Sequence, residues 1–150
     1  MMERAKVATQ QIVERMYQIR RNVQIVLTID KLDYARKSGR VGALQAALAS
    51  ALNVKPIIVL KEGLLDMAER VRTRGKAIER VLEMMKNRFE DEPVNVAAVH
   101  ARDLESAQAL FERARKAFNI RELIITELSV AVAANLGPGT VGLIVYPAGA

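Results

Sequence analysis

Apolar and polar positions along the chain change period several times, and each change marks an element. Ala5, Ala8, Ile12, Met16 and Ile19 recur every three or four residues, which predicts an amphipathic helix over residues 2–20. Residues 23–29 are a β-branched run of strand length. Asp30 is placed to cap a short helical turn through Tyr34 and Arg36, ended by Gly39. Pro56 opens a buried strand over residues 57–60. Lys61-Glu62-Gly63 reads as a hairpin turn, with residues 64–71 as the returning strand. Thr73 is the expected N-cap of a helix whose core face is Ile78, Val81, Leu82, Met85 and Phe89. After Pro93 come a strand over 94–99 and an Asp103-capped helix packing through Leu104, Ala107, Phe111, Ala114 and Phe118. A strand over 120–126 follows. The tail supplies two further strands, 129–133 and 141–146. Strands alternating with helices predict an α/β domain over residues 1–150, and the hairpin makes its mainly buried sheet mixed, with helices packed on its faces.

One segment breaks the amphipathic rule. Between residues 41 and 54 nothing is charged. Leu44, Ala47, Leu48, Ala51 and Leu52 form one helical face, and Ala43, Ala46 and Ala49 fill much of the other. A helix apolar nearly all round has to be covered by protein or by an apolar ligand. Its abundant alanine keeps it thin, so something bulky can lie close against it and the neighbouring strand that holds Ile57.

Composition narrows the chemistry. The 51% hydrophobic and 27% charged content of these 150 residues excludes wholesale disorder. No cysteine occurs, which removes disulfides, thiolate metal sites and cysteine nucleophiles and fits a reducing cytoplasm. A single histidine, His100, rules out a histidine-rich metal centre within one chain. Residues 128–150 carry no charge, but Gly137-Pro138-Gly139 splits them into two runs shorter than a membrane span. No dinucleotide fingerprint, phosphate loop, serine elbow or paired-histidine motif can be read, and no cofactor is implied.

Two basic clusters remain, Arg36, Lys37 and Arg40 at the double-glycine bend, and Arg70, Arg72, Arg74 and Lys76 at a strand-to-helix junction. They suit an acidic partner, or, at the second, a solvated edge with ion pairs to Glu69 or Glu79. His100 ends a predicted strand, where a packing role outweighs a catalytic one. Asn135 lies beside the Gly-Pro-Gly loop, where it serves turn geometry or holds a carboxylate.

Several of these stretches together resemble one family. Residues 33–42, DYARKSGRVG, resemble the LEYLxxGGRIG segment of the DegV family of bacterial fatty-acid-binding proteins. Residues 52–57, LNVKPI, resemble its LLNIKPIL. Residues 71–74, VRTR, match its VRTR, 96–101 resemble its VAVVHA, and 137–142, GPGTVG, match its GPGALG. The resemblance covers only the second half of such two-domain proteins. It implies the C-terminal domain, which shelters the acyl chain, while hydroxyl residues of the absent N-terminal domain hold the carboxylate near the interface. Leu44, Leu48, Leu52 and Ile57 are then the candidate acyl contacts. Asn135, standing where the family's GTHTGPG loop has histidine, is the candidate near the head group; it can donate a hydrogen bond but carries no charge. Arg40 and Arg72 fall on family arginines that engage a fatty acid kinase.

The resulting expectation is a non-catalytic, cytoplasmic lipid-binding domain. It would be half of a carrier that presents a long-chain fatty acid to a separate kinase and pairs with the missing N-terminal domain or subunit. Two other classes compete. One is an interaction subunit whose apolar helix is covered by protein rather than lipid. The other is a basic nucleic-acid module using the net charge of +6, against which 4% aromatic content and the lack of a recognition motif both count.

Overall fold

The computed structural model describes residues 2–38 and 54–149. Their elements, in chain order, are α1 (Met2–Asn22), β1 (Gln24–Thr28), α2 (Leu32–Ser38), β2 (Lys55–Lys61), β3 (Leu64–Val71) and α3 (Arg74–Phe89). They continue with β4 (Val94–His100), α4 (Leu104–Ala117), β5 (Ile120–Glu127), α5 (Val130–Leu136) and β6 (Val141–Pro147). The six strands form one sheet in the order β3-β2-β1-β6-β4-β5. Every neighbouring pair is antiparallel except β4 and β5, which α4 joins as a crossover. The expected mixed α/β sheet with helices on its faces is therefore present.

The two faces of the sheet are covered differently. On one, Val26, Ile57, Val96, Ala98, Leu143 and Val145 meet Ala77, Val81, Met85 and Phe89 of α3 and Ala107, Leu110 and Ala114 of α4. Thr73 caps α3, its hydroxyl accepting the Lys76 N–H at 3.3 Å, and Asp103 caps α4 by accepting the Ser106 N–H at 3.2 Å. This side is a closed core. On the other, Leu27, Ile29, Ile58 and Val99 are buried with Ala35 of α2 and Leu136 of α5, while Ile25, Leu65, Met67 and Ile144 stay half-buried. Among the described residues, the cover on this side comes from short helices.

Three sequence expectations change. Residues 129–133 are not a strand: α5 occupies 130–136, because Ala131, Ala133 and Ala134 favour helix over the alternation of Val130 and Val132. Leu104, expected in the core, is 48% exposed, for it lies in the first turn of α4; the inward stripe is Ala107, Leu110 and Ala114. Asp30 is engaged elsewhere. Its carboxylate and its backbone carbonyl accept from Lys55 Nζ at 2.9 and 2.8 Å. The expected apolar helix of residues 41–54, with Arg40, Leu44, Leu48 and Leu52, falls outside the described residues but for Val54. Among the described residues, no helix is long and apolar enough to cross a membrane.

Candidate functional site

The thinly covered face has a cavity of about 330 Å³ between the β2–β3 turn and α5, lined by Gly63, Leu64, Leu65, Val132, Asn135 and Leu136. Its wall is mostly apolar for a local reason. β3 is an edge strand with strict alternation, so Leu65 and Met67 turn inward toward this face while Asp66 stays exposed. α5 carries no charged residue and seats Leu136 in the same cluster. Across α5 lies a second cavity of about 260 Å³, where Ala133 and Ala134 face Arg102, Glu127 and Leu128.

The Gly-Pro-Gly loop fixes α5 against the body of the protein. Gly137 has φ +85°, and a Cβ there would stand 2.6–2.9 Å from Tyr34 side-chain atoms of α2. A Cβ on Gly139 would come within 2.6 Å of the Asp30 Cβ. Both glycines let the loop press on α2 and on the end of β1. The Thr140 hydroxyl donates to the Gly137 carbonyl at 2.8 Å, and Gly139 and Ala101 close the loop onto the end of β4 through backbone bonds of 2.8 Å.

Of the sequence candidates, Asn135 lines the first cavity, but its Nδ2 already donates to the Ala131 carbonyl at 2.6 Å. The other amide hydrogen and the carbonyl oxygen remain for a guest. Ile57 is fully buried in the closed core beneath α3, on the opposite face of the sheet; its neighbour Ile58 belongs to the thinly covered face. The structure thus does not bring Ile57 and Asn135 together. Period two decides which of two adjacent isoleucines can meet a ligand there, and only the strand register supplies that phase. Leu64, Leu65, Val132 and Leu136 were missed as lining residues. For Val132 and Leu136 the available signal is the uncharged tail, whose pattern reads as strand rather than helix; Leu64 and Leu65 carry none beyond their place after the hairpin turn.

The second basic cluster is divided. Arg72 and Lys76 are exposed at the bend between β3 and α3. Arg74 is drawn inward, with Nη2 2.6 Å from Asp103 Oδ2. Glu69 is held by Arg80, which binds both carboxylate oxygens at 2.5 and 2.7 Å. That bidentate bond holds the Glu69 carboxyl below its usual range despite some desolvation. For Asp103 burial pushes the carboxyl up, but hydrogen bonds from Ser106 and Arg74 outweigh it and the net shift is downward.

Comparison with known proteins agrees with this architecture. A family model described as the DegV family of uncharacterised proteins matches residues 1–148. A DegV domain-containing protein of Streptomyces coelicolor is 39% identical over 118 residues, 78% of this chain and 42% of that protein. A fatty-acid-binding DegV family protein from Thermus thermophilus has the same fold at a TM-score of 0.83 and 27% identity, over 92% of this chain and 50% of its own. The fatty acid kinase B3 protein of Streptococcus pneumoniae, solved with linoleic acid, shares the fold at a TM-score of 0.76 and 19% identity, over 92% of this chain and 49% of its own. The chain thus spans about half the length of the relatives it matches. With the family model running almost end to end, the chain belongs to the DegV family.

Proposed function

We propose that this chain is the acyl-chain-binding half of a cytoplasmic fatty acid carrier, itself without catalytic activity, which presents the carboxylate to a fatty acid kinase. The observation that carries the reading is the asymmetry of the sheet. One face is sealed by α3 and α4, while the other keeps half-buried leucine, isoleucine and methionine beside an apolar cavity of about 330 Å³. That volume is in the range of small-ligand sites. Burying fifteen methylenes contributes roughly 12 kcal/mol gross, from which lost translational and chain freedom subtracts a large part. The carboxylate cannot be buried alone, so it stays at the rim near Asn135, or against the half of the carrier that lies outside this chain. Fatty-acid binding by the Thermus relative and the naming of the Streptococcus protein as part of a fatty acid kinase support the same reading.

Loading the purified chain with oleic acid and weighing it by native mass spectrometry tests this. One retained fatty acid is expected, and Ala131→Phe, an exposed change at the cavity wall, should lower its occupancy several-fold without unfolding the protein. A chain that stays empty after loading, alone and with the other half of such a carrier supplied, overturns the proposal. For docking, Arg72→Glu should reduce kinase-dependent phosphorylation of the loaded acid and leave its binding unchanged. A second reading, an interaction subunit holding no lipid, is favoured by α1. Its Ile12, Val13, Met16 and Tyr17 are 45–64% exposed. Persistent emptiness together with self-association would select it.

A further inference from the structure

Three buried side-chain polar atoms have no hydrogen-bond partner among the described residues: Thr28 Oγ1, Arg74 Nη1 and His100 Nδ1. They are gathered at one end of the sheet. In the strand register Thr28 and His100 both pair with Val141, one from each side of β6. Register partners share a face, and Val141 belongs to the core beneath α3 and α4, so both side chains lie on that closed side. Two strand spacings separate them, about 10 Å between Cα atoms. Thr28 is fully buried and His100 is 5% exposed. Arg74 opens α3 at the same end, because β3 finishes with Val71 opposite Lys55, where β2 begins. Its Nη2 reaches Asp103, three residues beyond His100, at 2.6 Å.

Buried polar groups are almost always satisfied, by protein or by a bound guest. The chemistry of this set selects the guest. Arg74 Nη1 can only donate, the Thr28 hydroxyl donates and accepts, and a neutral imidazole nitrogen does one or the other according to tautomer. All three can donate, so the guest must accept, and a neutral one that also donates meets either tautomer of His100. An oxyanion only accepts, and Asp103 already neutralises the guanidinium that would attract it. A metal cation is repelled by that guanidinium. We infer that a short chain of ordered water molecules occupies this end of the closed core, accepting from Arg74 Nη1 and linking the Thr28 hydroxyl to His100 Nδ1. Such internal water joins the ends of β1 and β4 to the start of α3, directly beneath the bend that exposes Arg72.

A high-resolution crystal structure of the unsubstituted protein tests this first. Ordered water within hydrogen-bond distance of all three atoms is expected. A dry gap, an anion at the site, or separate protein partners for the three atoms would overturn the inference. A double-mutant cycle gives an independent readout. Thr28→Val and His100→Leu should each lower Tm, and the double variant should lose less than the sum, since either change breaks the shared chain. His100→Asn, which keeps a polar atom near the Nδ1 position, should recover part of the loss. Strictly additive losses count against a shared guest. Should a variant fail to fold, the unsubstituted crystal structure still decides.

Discussion

Gly137 is held between two demands that no other residue meets together. Its φ of +85° with ψ of 167° lies in a region open essentially to glycine, and its missing Cβ leaves the space that the Tyr34 side chain fills. Gly137→Ala should therefore lower stability by about 1–3 kcal/mol, from backbone strain and overlap combined. The loss has a functional signature as well. α5 is seated by this loop and walls the 330 Å³ cavity, so fatty-acid occupancy should fall in the fraction that stays folded. Adding Tyr34→Ala relieves the overlap but not the strain, and should restore only part of the stability. Chemical denaturation of the three proteins measures both contributions. Full recovery in the double variant would show that the dihedral carries no cost here.

Turns and caps were the most legible features of the sequence, because their residues act locally. Thr73 and Asp103 cap α3 and α4 as their side chains suggest, and Glu62-Gly63 makes the expected hairpin turn. Both turn residues have positive φ, 52° and 82°, the geometry of a type I′ turn. Glutamate tolerates that region poorly and asparagine tolerates it well, so Glu62→Asn should stabilise the protein by about 0.5 kcal/mol. A rise in the denaturation midpoint at unchanged slope checks it, and no rise would mean that the turn conformation is not limiting. Helix α5 was illegible for a physical reason. This seven-residue, uncharged segment has Asn135 as its one polar side chain, so it shows no helical polar face, only the short alternation of Val130 and Val132. The alanines' preference for helix is joined by packing against α2 and by Gly137, which are tertiary facts. The same limit applies at Ile57 and Ile58. Composition marks both as buried, and only the register divides them between the two faces.

Two charge pairs tie the closed layer together: Arg80 of α3 to Glu69 of β3, and Arg74 of α3 to the Asp103 cap of α4. Both carboxylates titrate below their ordinary values of 4.5 and 3.8 when the protein is folded. A carboxylate with a lowered folded-state pKa adds stability that is present above the unfolded value and is lost as pH falls through the folded one. Stability should thus be flat with respect to these groups near neutrality and decline as the pH drops below about 4.5. The net charge of +6 works in the same direction. Protonating 17 acidic residues leaves 23 basic ones unopposed, and their repulsion disfavours the compact state. The two causes can be separated. Repulsion is screened by salt and barely altered by Glu69→Gln with Asp103→Asn, whereas the loss of pairing is removed by those substitutions. Thermal unfolding at a series of acid pH values, at low and high salt, should show a shallower decline of Tm in the double variant than in the unsubstituted protein at both salt concentrations. Equal slopes would mean that these pairs contribute nothing that protonation can remove. In that case the closed layer is held by its buried apolar side chains, with no measurable share from these two ion pairs.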